Sequence, residues 1–115
     1  MIVRRSALSA IDFEGLSIHD YTAGSETRAS LATIEVAPGI RHREAWSRRS
    51  DKYYYVLAGQ ICFALDGHEH ELTAGDFALV PQGKRFWYEN RAEETATLIL
   101  VHVPSFDLAS EVFEE

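Results

Sequence analysis

Cys62 is the only cysteine among 115 residues, so neither a disulfide framework nor a cysteine-rich zinc module can form within one chain. Long apolar runs are missing too. The longest, Thr97-Leu98-Ile99-Leu100-Val101, stops at His102, far short of the roughly 20 residues that span a bilayer. No continuous apolar stretch follows Arg4 and Arg5, so a secretory signal is not expected there. Basic charge is scarce: 11 Lys and Arg stand against 18 Asp and Glu, a net charge of -7, which argues against a general affinity for nucleic acid or an anionic membrane. No internal repeat or low-complexity tract is visible. These absences lead to the expectation of a cytoplasmic protein whose partners are small molecules and copies of itself.

The composition itself is that of a globular domain, 46% hydrophobic, 25% charged and 11% aromatic, at a length that suits one domain over residues 1–115. The apolar signal favours strands. Ser30–Val36, Lys52–Leu57, Gln60–Leu65, Phe77–Val80 and Thr95–Val103 are short and rich in β-branched or aromatic residues. Turn chemistry separates them: Pro38-Gly39, Ala58-Gly59, the hairpin pair Asp66-Gly67, Ala74-Gly75-Asp76 and Pro81-Gln82-Gly83. Several strands at such spacing imply an all-β sandwich or barrel. Only Phe106–Glu115 has room for a short helix, and the acidic tail Glu111–Glu115 is expected to fray.

Two spaced motifs add to this reading. Gly39 is followed after five residues by Ala45-Trp46-Ser47, after four more by Lys52 and after six more by Gly59. Gly75 is followed after five residues by Pro81-Gln82-Gly83, after two by Phe86 and after three by Asn90. With the connecting words YYVLAGQ, LDGHEHEL and AGDFALVP, these resemble the two motifs of the cupin superfamily, in particular its small single-domain, mannose-6-phosphate isomerase-like members, over residues 30–108. The resemblance implies a double-stranded β-helix, the jelly-roll barrel. It also implies a site, because typical cupins hold iron, manganese, nickel or zinc on three imidazoles and a carboxylate at four motif positions. Here those positions read Ala45, Ser47, Lys52 and Phe86. A methyl group and a phenyl ring cannot coordinate, a hydroxyl is a weak ligand, and an ammonium repels a cation, so no metal and no other cofactor is expected there.

If the family's ligand positions point inward, strand alternation puts Arg43, Ala45 and Ser47 on one inner face, Lys52 and Tyr54 on a second, and Phe86 and Tyr88 on a third. With His102 from the last apolar run, these residues form the candidate ligand-binding set. Arg43 and Lys52 suggest an anionic ligand. Arg41, Arg43, Arg48, Arg49 and Lys52 against Glu44 and Asp51 could form an electropositive rim or merely a solvated loop. Lys52 could snorkel to the mouth beside Asp51 or Glu44, hold an anion, or act as a base. The face of His102 stays open, His42 and Glu44 should point away unless a bulge turns the strand, and His68 and His70 follow an exposed turn. Cys62 reads as an inert buried thiol, and Tyr53, Tyr55 and Trp87 as outward aromatics that a second subunit or the first 28 residues would cover.

Three functions fit. The first is a metal-free binding module for a small, anionic, sugar-like or carboxylate ligand. The second is a metal-independent isomerase, epimerase or lyase using Lys52 or His102 with Tyr54 or Tyr88. The third is a metal enzyme with substitute ligands such as His42, Glu44 or His102. The small cupins resembled here point further to a homodimer.

Overall fold

In the computed structural model, which describes residues 1–115, the chain forms two antiparallel sheets packed face to face. Its strands are β1 (Ile11–Phe13), β2 (Leu16–Asp20), β3 (Ser30–Val36), β4 (Arg41–Ser47), β5 (Asp51–Ala58), β6 (Gln60–Leu65), β7 (His68–Thr73), β8 (Phe77–Val80), β9 (Phe86–Glu89), β10 (Ala96–Val103) and β11 (Glu111–Phe113). One sheet runs β1-β2-β3-β10-β5-β8, the other β11-β4-β9-β6-β7. No helix is long and apolar enough to cross a membrane.

The turns sit where their residues allow. Asp66 and Gly67 both take positive φ, at 51° and 84°, the mirror-image geometry that a two-residue hairpin between β6 and β7 demands. Gly59, at φ 79°, is required twice over: a Cβ there would lie 2.8 Å from the Ala96 backbone. Asn90 is fully buried and its side chain ties the second motif to the first sheet, donating to the carbonyls of Val36 and Glu94 at 2.8 Å and accepting from Ala92 N–H.

The five strand segments read from the sequence all form, with β5 gaining a residue at each end and β10 starting one later. Both ends of the chain add strands that no local signal marks. The first 28 residues contribute β1 and β2, and Leu16 is buried in the core, because β2 pairs with β3 and extends the apolar sheet. The C-terminal tail holds one short 3-10 helix at Leu108–Ser110, capped by the Asp107 carboxylate on Ala109 N–H, which leads into β11, and β11 pairs with β4. The acidic tail does not fray as a unit. Glu111 is buried, and Glu114 bonds to Arg85 and to the Trp46 indole.

The inner face of the first sheet can be read as rows across its strands. Lys52, His102 and Ser30 are directly opposed on β5, β10 and β3, and Tyr54, Leu100, Ala32 and Asp20 form the next row. Val56, Leu98, Ile34, Ile18 and Ile11 make the third, wholly apolar row. One end of the barrel is therefore polar and the middle is dry. The second sheet contributes a floor of rings, Phe63, Phe86 and Tyr88, whose centroids lie 5.7–6.4 Å apart in near-parallel planes.

Candidate functional site

Between the sheets lies a cavity of about 340 Å³, in the size range of small-molecule sites. Its walls are mostly apolar, and its polar groups are few: Asp20, Ser30, His42, Lys52, Tyr54, Tyr88, His102 and Glu111. The exposed Ile11, Phe106 and Leu108 mark its mouth, while Leu16, Tyr54 and Tyr88 close its deep end.

Lys52 and Glu111 form a buried ion pair, with only 4% and 2% of their side-chain surface exposed. Burial pulls the Lys52 ammonium below its usual range, and the Glu111 carboxylate opposes that fall. The ammonium also rests 4.9 Å from the centre of the Phe86 ring. This corrects two sequence expectations for Lys52: it neither snorkels outward nor pairs with Asp51 or Glu44. Its partner lies 59 residues away on a strand the sequence did not reveal.

His102 faces inward beside Lys52, which answers the question its ambiguous run left open. Its Nε2 is buried with no hydrogen-bond partner, 4.0 Å from Glu111 Oε1. Burial, and then the Lys52 charge, push its pKa down to about 3, so the ring is neutral near pH 7.

His42 reaches the cavity through a bulge. His42 pairs with Tyr88, and Ala45 pairs with Phe86, so β4 spends one residue more than β9 between the two pairs. That extra residue turns His42 inward along with Ala45 and throws Arg43 out. The His42 ring is packed among Phe13, Phe86, Tyr88 and Phe113, with centroids 5.0–6.1 Å away. Its Nδ1 donates to the Arg43 carbonyl at 2.6 Å, an assignment that leaves Nε2 as the basic nitrogen. Burial lowers its pKa to about 4.

Arg43, read from strict alternation as an inner residue, instead holds Glu14 in a bidentate pair at 2.7 and 2.9 Å, both side chains about two-fifths exposed. Ala45, Ser47 and Phe86 are buried but stand behind the cavity wall rather than on it. The Ser47 hydroxyl accepts from the backbone N–H groups of Arg49 and Ser50 and so serves the turn into β5. Of the sequence-read set, Lys52, Tyr54, Tyr88 and His102 line the cavity together. Tyr54 and Tyr88 pack edge to face at 5.7 Å, and burial raises both phenols. Tyr88 Oη has no hydrogen-bond partner.

The remaining candidates lie outside. His68 and His70 are exposed on β7, Tyr55 is 42% exposed on the outer face, and the Trp87 ring meets the guanidinium groups of Arg41 and Arg91 at 4.2 and 5.8 Å. Cys62 is a buried thiol near Glu69 Oε1, and burial raises its pKa. The sequence reading missed Glu111, Asp20 and Ser30 altogether, because nothing local marks β2 or β11 as cavity-lining.

A metal ion of the kind typical cupins carry does not fit these residues. At the four motif positions the donors are a methyl group, a hydroxyl already accepting two N–H bonds, a paired ammonium and a phenyl ring. The substitute set fails geometrically as well, since Glu44 lies outside the cavity lining and no three His, Cys, Asp or Glu side chains converge.

Residues 32–102 match the Cupin domain family, and the chain belongs to it. TcmJ of Streptomyces glaucescens, described as a tetracenomycin polyketide synthase protein, is 33% identical over 73 residues, covering 64% of this chain and 49% of TcmJ. YbeY of Myxococcus xanthus, described as an endoribonuclease, is 26% identical over 95 residues, covering 81% of this chain and 32% of YbeY. The chain thus spans between a third and a half of these relatives' length. Among solved structures, Pac13, described as a unique nucleoside dehydratase, superposes with a TM-score of 0.87 at 22% identity, covering 100% of this chain and 91% of Pac13. Streptomyces Pac13 variants, each with a histidine or one of two tyrosines replaced, were solved with uridine.

Proposed function

We propose that this cupin is a metal-independent lyase that removes water from a small hydroxylated carbonyl compound of sugar or nucleoside character held in the cavity. The observation that carries this reading is His42, a neutral imidazole turned inward by a bulge, its tautomer fixed by the Arg43 carbonyl. A base poised in this way can take the proton from the carbon next to a carbonyl. The electron pair released forms the new carbon–carbon double bond as hydroxide leaves the next carbon. That hydroxide takes up the proton from the imidazolium and departs as water, so no oxidant or reductant is consumed. The unpartnered Tyr88 hydroxyl supplies a hydrogen bond to the enolate-like oxygen, and Lys52, its net charge cancelled by Glu111, offers only the positive pole of that ion pair. The Pac13 likeness supports the reading, because the residue types varied there, one histidine and two tyrosines, are among those that line this cavity.

The test follows α-proton exchange and double-bond formation by NMR in heavy water, with β-hydroxy aldehydes and ketones of pentose and nucleoside type. Wild type should exchange and eliminate, His42→Gln should fall by roughly a hundredfold or more, and a chelator should change nothing. Elimination undiminished in His42→Gln would overturn the assignment. Ligand-dependent stabilisation without turnover would return the protein to the binding-module reading.

A second proposal concerns the outer face of the first sheet, where Leu31, Val101, Tyr53 and Leu79 form one row and Ile99, Tyr55 and Phe77 the next. Such a face can pack against itself about a two-fold axis, and we propose a homodimer built on it. Native mass of wild type against a Tyr55→Lys, Phe77→Lys variant decides: the dimer should be lost in the variant.

A further inference from the structure

The charges of the cavity leave little for an anion to bind. Lys52 is the one cation on its walls, and Glu111 neutralises it. Both histidines are uncharged near pH 7. Arg43, the other cation expected inside, is outside and paired with Glu14. What remains is the carboxylate of Asp20, so the lining carries a net negative charge. Asp20 Oδ1 accepts from the backbone N–H and the hydroxyl of Thr22, which leaves Oδ2 without a protein partner.

The polar groups also have an order in space. Ser30 is directly opposite His102, and Asp20 lies one strand further and one row along, so Glu111, Lys52, His102, Ser30 and Asp20 form a strip around one end of the barrel. Directly opposed side chains stand about 5 Å apart and diagonal ones about 7 Å, a spacing that neighbouring hydroxyls of one ligand can bridge. The Ser30 oxygen already accepts from Phe106 N–H, so its proton is free to donate. His102 Nε2, in a residue 5% exposed, lacks a partner beside it. The strip thus offers a carboxylate oxygen to accept, a hydroxyl to donate and an orphaned ring nitrogen, facing apolar walls.

We infer that the cavity selects an uncharged ligand bearing at least two hydroxyls, that Asp20 with Ser30 holds those hydroxyls, and that Asp20 rejects the same ligand carrying a phosphate. This rests on the reading of the cavity as a site for a sugar-like or nucleoside-like compound. It reverses the expectation of an anionic ligand, which rested on Arg43 and an unpaired Lys52.

Uridine and uridine 5′-monophosphate differ only in the charged group, and calorimetric titration of both reads the selection. Wild type should bind uridine about tenfold tighter or more, a gap that one close carboxylate can sustain. Asp20→Asn, with its fold checked by thermal melting, should weaken uridine and bring the two affinities to within about threefold. Ser30→Ala should weaken uridine alone. Equal or tighter binding of the monophosphate by wild type overturns the inference, as does an unchanged gap in Asp20→Asn or the failure of wild type to bind uridine. The catalytic reading fails separately, through an active His42→Gln, and binding selectivity is measured without turnover.

Discussion

The two ends of the cavity solve opposite problems. Behind the deep end, Tyr54, Phe63, Phe86 and Tyr88 pack ring against ring, and of these rings Phe86 alone also meets a charge, the Lys52 ammonium 4.9 Å from its centre. At the polar end, Lys52 and Glu111 are each buried only because the other is there. The first arrangement tolerates change in proportion to the area removed; the second tolerates the loss of both partners better than the loss of one. The difference also separates the roles of the two motifs. The second motif places Phe86 as floor, while the first places Lys52 as a working charge.

Breaking the pair from one side should therefore have the largest effect. Glu111→Ala leaves a buried ammonium without compensation and should cost about 3–5 kcal/mol in chemical denaturation. Removing both, as Lys52→Met with Glu111→Leu, should cost far less and keep the fold. Equal destabilisation by the single and double variants would show that the polar end is held by packing and not by charge. At the deep end, Phe86→Ala should cost up to about 3–5 kcal/mol as well, but through an enlarged cavity, and there no second substitution of opposite charge can restore it.

Acid sharpens the comparison, because the histidines bridge the two ends. His42 has a folded pKa of about 4 against an ordinary 6.5, so below 6.5 the unfolded chain takes up a proton that the folded chain refuses. Stability is then fully present above 6.5 and is lost as pH falls toward 4, and the gap amounts to about 3 kcal/mol. His102, with a folded pKa of about 3, adds to the loss over a window that reaches lower. Melting temperature measured from pH 7 down to 4 should fall, and His42→Gln should make that fall shallower from 6.5 down to 4, where His102 alone of the two then contributes. A wild-type profile flat over this range would place both imidazoles in water.

How much of this was legible in the sequence depends on whether the signal is local. The strands Ser30–Val36, Gln60–Leu65 and Phe77–Val80 announce themselves by β-branched and aromatic runs between glycine turns, and they form where read. Lys52, Tyr54 and Tyr88 were found inside because alternation holds along β5 and β9. Alternation failed on β4 for a physical reason: one bulged residue exchanges the faces, and no residue type at Arg43 or Glu44 encodes it. Glu111 was hidden differently. An acidic residue near the end of an acidic chain reads as solvated, and only the pairing of β11 with β4 brings it to Lys52.

The smallest effect tests the bulge itself. Arg43 and Glu14 form a pair about two-fifths exposed, and exposed pairs contribute at most about 1 kcal/mol. Arg43→Ala should therefore barely shift the melting temperature, and it should leave both uridine affinity and elimination unchanged. The backbone carbonyl of Arg43 orients His42 and survives the substitution, and the side chain reaches the cavity lining only through the Phe113 ring, 5.4 Å from its guanidinium. An unregistered strand would give the opposite pattern: with Arg43 inside, its loss would remove a buried charge and disturb binding strongly. Arg43→Ala and His42→Gln, neighbours on one strand, should differ in turnover by the full factor assigned to the base, and that contrast measures what the single extra residue of β4 achieves.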